Sequence, residues 1–205
     1  MKILFTKSLD KENVSEKLGT GVTADFVDLI KTEVIKTETF DLGDNSLIFT
    51  SANGVKAFFE NGFSLTPDSE NQTNKLYVVG TQTKLELETH HSKIHKHCKN
   101  VNDLSNHIHQ NAQNENFIHF CSDIAMAILD ENLTQKNISY RKIPAYKTEL
   151  LFPEIHEKYH AIVFFSPSGV RSFAKRNDFG TSILFSIGNT TTSELKKLTD
   201  HKIIT

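Results

Sequence analysis

Hydroxyl side chains recur at four matched places in this 205-residue chain: Thr50-Ser51, Thr81 with Thr83, Ser166-Pro167-Ser168, and Thr190 with Thr191. Each follows a short apolar run rich in β-formers and precedes an amphipathic stretch, the pattern of a strand, a tight turn and a helix start. A helix start offers free N–H groups and the positive end of its dipole, so a hydroxyl there caps the helix or joins those groups in holding an anion. The two roles are compatible, and a cap alone is worth about 1 kcal/mol. Gly169 closes the Ser-Pro-Ser-Gly turn. Lys7, Lys56, Lys84, Lys147 and Arg171 stand close to these turns in the sequence pattern, either as solvated faces or as partners for ligand carboxylates at a rim. Tyr146 lies on an extended stretch, and a phenol of pKa about 10 stays protonated and able to donate at neutral pH.

Other chemistries find no pattern. The glycine-rich dinucleotide and phosphate-loop fingerprints are absent, as are H-E-x-x-H, C-x-x-C and G-x-S-x-G. The two cysteines, Cys98 and Cys121, form neither a disulfide framework nor a zinc spacing, which suits a reducing compartment. A run of histidines (His90, His91, His95, His97, His107, His109) invites a metal reading, since His91 and His95 would share a face if that stretch were helical. Its neighbours Lys93, Lys96, Lys99 and Asn100 favour a solvated surface segment, and no metal is expected.

The elements that must position the hydroxyls read as alternating strands and helices. Residues 161–170, AIVFFSPSGV, echo residues 47–55, LIFTSANGV, and a second pair, residues 76–83 and 184–191, follows each copy. One supersecondary unit thus occurs twice. Strands are expected at 2–6, 47–50, 76–79, 117–121, 162–165, 183–187 and 202–204, with helices at 11–18, 53–60, 104–108, 123–133, 168–176 and 190–198. A further helix should begin at the Gly80-Thr81-Gln82-Thr83 turn, its hydroxyls capping. Residues 24–30 fit a strand or a helical turn equally, residues around 94 carry only a weak pattern, and residues 64–74 read as a polar loop. The stretch 138–149 contains Pro144, which argues for an edge or connector, running antiparallel beside 33–40 as a two-stranded ladder. Parallel sheets with right-handed crossovers follow from the alternation. The domains expected are residues 1–36 with 150–205, and an inserted 42–143, with connectors at 33–41 and 144–149.

Composition is that of an ordinary globular chain, 38% hydrophobic and 23% charged. With a formal charge of −2 there is no general basic field for nucleic acid or an anionic membrane, so an anionic ligand must be held locally. The apolar run near the N-terminus is too short for a signal or a membrane span, and a cytoplasmic protein is expected.

On the motifs FFSPSGV (164–170), FTSANGV (49–55), VVGTQT (78–83), IGNTT (187–191) and AYKT (145–148), in this order, the chain resembles the uroporphyrinogen-III synthase family over nearly its whole length. The resemblance implies two Rossmann- or flavodoxin-like α/β domains, one inserted in the other and joined by a two-stranded β ladder. It also implies a cofactor-free, monomeric enzyme that cyclises hydroxymethylbilane to uroporphyrinogen III with inversion of ring D and loss of water. The substrate would lie between the domains, held largely by main-chain amides, and transient contact with the preceding pathway enzyme is compatible with this. Carried over by motif, Tyr146 is the candidate catalytic donor. Thr50, Ser51, Thr83, Ser166, Ser168, Gly169, Thr190, Thr191 and Lys7 are the candidate substrate-binding residues.

The sequence departs from the family pattern in three places. Cys121-Ser122-Asp123 stands where relatives often carry a glycine-containing turn with a basic residue, and Asp123 would repel a substrate carboxylate unless it serves as a cap. Thr6-Lys7 replaces a frequent arginine, keeping the charge but losing the bidentate fork. A further helix is expected after 202–204, beyond the end of this sequence. The alternative reading is a two-domain binding protein of the same fold without turnover. A hinged solute receptor would require a secretion signal.

Overall fold

The computed structural model describes residues 1–65, 74–125 and 127–205. In chain order the elements are β1 (Lys2–Phe5), α1 (Lys11–Leu18), β2 (Thr23–Phe26), β3 (Ile30–Val34), β4 (Ser46–Phe49), α2 (Ala52–Glu60), β5 (Leu76–Val79), α3 (Thr81–Thr89), β6 (Ile94–Cys98), α4 (Val101–Asn111), β7 (Phe117–Ser122), α5 (Ile128–Thr134), β8 (Tyr140–Leu150), β9 (Ala161–Phe164), α6 (Pro167–Ala174), β10 (Ile183–Ser186), α7 (Asn189–Leu195) and β11 (Ile203–Ile204). They form two compact units: Met1–Lys31 with Glu149–Thr205, and Thr32–Thr148.

The first unit holds a five-stranded sheet of order β11-β10-β9-β1-β2, parallel at every pairing. Residues 24–30, ambiguous in the sequence, begin within a strand, because Ala24 pairs with Ile3 and Phe26 with Phe5. Leu4, Leu29, Ile162, Phe164, Val170, Phe173 and Leu184 fill its core. Asp10 caps α1, its carboxylate accepting from the N–H groups of Glu12 and Asn13.

The second unit holds a six-stranded sheet of order β3-β8-β7-β4-β5-β6. Its central strands β4, β5 and β7 are buried along their whole length, as parallel strands covered on both faces must be. One face packs Phe49, Phe58, Phe63 and Phe120 into a ring cluster. The other packs Ile48, Tyr77, Phe117, Leu129 and Leu133.

Several expectations are corrected here. The weak stretch near 94 is the full strand β6, because its N–H and C=O groups complete the edge beside β5. α4 is longer than expected, since Asn100 caps it through the N–H of Asp103 at 2.9 Å. α5 starts at Ile128 rather than 123, because the Asp123 carboxylate is used in a turn, accepting from Ile124 N at 2.9 Å and Thr148 N at 3.0 Å. β8 is an eleven-residue interior strand despite Pro144. Pro144 sits opposite Cys121 where the register to β7 shifts, and a local irregularity of this kind accommodates a residue without an N–H. By contrast, β3 is hydrogen-bonded beside β8 as the expected ladder, and the pair continues into the six-stranded sheet. Most of the loop expected at 64–74 lies outside the described residues.

Candidate functional site

The turn from β4 to α2 is where the second unit gathers its polar groups. Ser51 has extended backbone (φ −154°, ψ 149°) and caps α2, its Oγ accepting from Gly54 N at 3.1 Å. A side chain at position 54 is excluded, because a Cβ there would stand 2.7 Å from the carbonyl oxygen of Phe120. The first turn of α2 therefore rests directly on the backbone of β7.

Tyr146, on β8, brings its phenol to 2.7 Å from Ser51 Oγ. Only 8% of Tyr146 is exposed, and burial holds its pKa above the usual phenol value, with the Ser51 hydrogen bond opposing this in part. Its carbonyl accepts from Asp123 N at 2.9 Å, fixing the backbone from which the ring projects. Tyr146 borders an open concavity of about 380 Å³ lined also by Thr32, Glu33, Lys36, Asn53, Lys56 and Glu60, so its lysines are matched by glutamates. Lys56 lies 3.8 Å from Glu86, an exposed and weak pairing that a ligand carboxylate can replace.

Beside this pair, Thr50 Oγ1 is 3.0 Å from His119 Nε2, and His119 Nδ1 is 2.6 Å from Tyr140 Oη. His119 is buried in β7, and burial, with Lys142 nearby, lowers its pKa to about 3, so the ring is neutral at physiological pH. Neither His119 nor Tyr140 stands out by motif. The one available signal was a histidine inside the otherwise apolar run FIHF.

In the first unit the matching turn joins β9 to α6. Ser166 (φ −159°, ψ 155°) caps α6 by accepting from Gly169 N at 3.0 Å, and its Oγ lies 3.1 Å from Ser168 Oγ. Pro167 occupies the first helical turn, where its missing N–H costs nothing. α6 packs on α7, and Arg171 meets Glu194 at 3.2 Å. Burial pushes the Glu194 carboxyl up, but hydrogen bonds from Lys197 and Arg171 hold it below the usual carboxylate range.

The remaining two turns do not use their threonines as caps. α3 and α7 have glycine, Gly80 and Gly188, at the N-cap with no side-chain hydrogen bond, and the threonines lie inside the helices. Thr83 and Thr191 are buried, whereas Thr190 is exposed. Lys7 is exposed just beyond β1, where Thr6 Oγ1 bonds Val163 O at 2.9 Å. Of the candidates, Thr50, Ser51 and Tyr146 come together in the second unit, and Ser166, Ser168 and Gly169 in the first. His91 and His95 share no helix, since α3 ends at Thr89 and His95 is in β6. Among the described residues no group of three or more His, Cys, Asp or Glu side chains could hold a metal ion. No helix among them is long and apolar enough to cross a membrane.

The comparisons with known proteins agree with this architecture. No curated protein matches the chain. Among solved structures, uroporphyrinogen-III synthetase from Helicobacter pylori is 19% identical with a TM-score of 0.64, over 98% of this chain and 91% of that one. A mutant uroporphyrinogen III synthase from Thermus thermophilus is 13% identical with a TM-score of 0.67, over 100% of this chain and 92% of that one. At these identities the likeness concerns the fold. The family model for uroporphyrinogen-III synthase HemD matches residues 17–205. By that match the chain belongs to the uroporphyrinogen-III synthase family.

Proposed function

We propose that the chain closes hydroxymethylbilane to uroporphyrinogen III, with inversion of ring D and loss of water, without a cofactor. The observation that carries this reading is the Tyr146–Ser51 hydroxyl pair at the start of α2, beside a concavity edged by Lys36 and Lys56 together with Glu33 and Glu60. A buried phenol with a raised pKa is a proton donor that does not ionise at working pH, and the departing group is a hydroxyl. With Ser51 donating to Tyr146 Oη, the phenol proton is left for that hydroxyl. Its departure as water gives an azafulvene, which the substituted carbon of ring D attacks to form a spiro intermediate. Fragmentation and reclosure then invert ring D. The pyrroles supply the electrons, and the protein lends the phenol proton, which returns to Tyr146 when a proton is lost as the pyrroles are restored on reclosure, and sets the fold of the flexible chain.

In this reading the substrate lies between the two units. Thr50, Ser166, Ser168, Thr190 and Lys7 contribute donors, with carboxylates held by backbone N–H groups at helix starts, while Ser51 serves Tyr146, Gly169 serves the Ser166 cap, and Thr83 and Thr191 are buried. The enzyme works as a cytoplasmic monomer of tetrapyrrole synthesis, and transient contact with the enzyme before it would shield a substrate that closes spontaneously to the type I isomer. The non-catalytic alternative keeps one support, because Asp123 is exposed and does not cap α5, its Oδ1 accepting from the N–H groups of Ile124 and Thr148 and from the Ser122 hydroxyl with its charge left in place. The purified chain, given freshly generated hydroxymethylbilane, should shift the product from type I to type III. Type I alone from folded protein would leave a binding protein of this fold.

A further inference from the structure

Tyr140 and Tyr146 stand on one strand, β8, and both reach the β4–α2 turn although β7 lies between β8 and β4. Tyr146 reaches Ser51 directly at 2.7 Å, and Tyr140 reaches Thr50 through the imidazole of His119. By strand alternation, residues 50 and 51 point to opposite faces of the sheet. The turn is thus tied from both faces at two successive residues.

Tyr140 Oη lies 2.6 Å from Nδ1, and the tautomer of His119 decides which of the two donates. With Tyr140 donating to Nδ1, the ring proton sits on Nε2. In that tautomer Nε2 donates to Thr50 Oγ1, 3.0 Å away. Having accepted from His119, Thr50 keeps its own proton for a partner outside the core, and Thr50 is only half-buried.

An apolar side chain would serve the packing of β7 without two buried hydrogen bonds to satisfy, so a histidine here calls for a role beyond filling space. We infer that His119 is a positioning residue of the proposed reaction, holding the Thr50 hydroxyl as a donor aimed at a carboxylate of the bound tetrapyrrole. The inference takes the synthase reading as its premise. It makes Thr50 the contact and His119 the group that fixes its direction, with Tyr140 fixing the tautomer of His119.

The test combines steady-state kinetics on hydroxymethylbilane with imidazole nitrogen NMR of the intact protein. Thr50→Val should raise KM about tenfold with kcat nearly kept, the size expected for one hydrogen bond to a charged group. His119→Phe should match it, and the double variant should add less than about twofold, because His119 acts through Thr50. If His119→Phe does not fold, His119→Gln provides the check, since its amide N–H can still donate to Thr50 and should keep KM within about threefold. NMR should show a neutral ring protonated at Nε2 and no titration from pH about 5 to 8. A folded His119→Phe with unchanged KM, a double variant that loses a full second tenfold, or a ring protonated at Nδ1 would each overturn the role of His119. Type I product alone from the wild-type chain would instead sink the synthase reading, and the role of His119 with it.

Discussion

The same Ser-x-x-Gly turn serves both units, but its hydroxyl is used differently in each. Ser166 finds its second partner two residues away in Ser168, whereas Ser51 finds Tyr146 from 95 residues away. The glycines differ in the same sense. Beside Gly169 an added Cβ would meet Ser166 Oγ at 3.2 Å, while beside Gly54 it would meet the backbone of another strand at 2.7 Å. A turn satisfied by its own neighbours is a module that needs only its local sequence. A turn fastened to distant strands is fixed relative to the sheet, and that is where precise placement of a reacting group belongs.

The largest effect that would sharpen this contrast is on turnover. Tyr146→Phe should lower kcat about a hundredfold with little change in Tm, the low end for loss of a general acid. Because burial raises the phenol's pKa, the alkaline fall in kcat that Tyr146 causes should begin above pH about 10, and the Phe variant should lack it. An unchanged rate would remove Tyr146 from the chemistry and make the two turns equivalent. Next, Gly54→Ala should destabilise by about 3 kcal/mol in denaturant unfolding, as the backbone of β7 cannot yield. Gly169→Ala should stay within about 1 kcal/mol, since a side chain can move and alanine favours the helix.

A smaller effect concerns the histidine behind the fastened turn. Its pKa is about 3 when folded and about 6.5 when unfolded. The unfolded chain therefore binds the extra proton as pH falls below about 6.5, and stability present above that value is lost between there and about 3. Compared with His119→Gln, the wild type should lose about 2 kcal/mol more between pH 7 and 5, and parallel stability curves would contradict this. The caps come next: Ser51→Ala should cost about 2 kcal/mol because it also leaves the Tyr146 phenol without its partner, and Ser166→Ala about 1 kcal/mol. Equal costs would mean that the Tyr146 contact adds nothing to Ser51.

What could be read from the sequence divides along the same line. Strand–turn–helix units, their serine caps and the parallel sheets were legible because each depends on residues within a few positions of one another. Tyr146 was legible only through the AYKT motif, and its contact with Ser51 was not, since no periodicity links positions 95 apart. Thr83 and Thr191 were taken as caps because hydroxyls at a helix start usually are. Glycine at the true N-cap places both three residues too far in. Pro144 misled for a related reason, as the irregularity that accommodates it belongs to the pairing of two strands and is written in neither alone. The Asp123 turn likewise depends on Thr148, 25 residues on.

The way β3 and β8 lie side by side also bears on the order in which the chain folds. The first unit is split, and pairing β1 with β9 joins Ile3 to Ala161 across nearly the whole chain. The second unit is continuous, and its terminal segments meet when β3 docks on β8. Once it has closed, the flexible loop that β1 and β9 must span shrinks about fourfold, which saves about 1 kcal/mol of closure entropy. The continuous unit therefore leads and the split one follows, and damage to the β3–β8 pair would slow assembly of a sheet to which neither strand of that pair belongs.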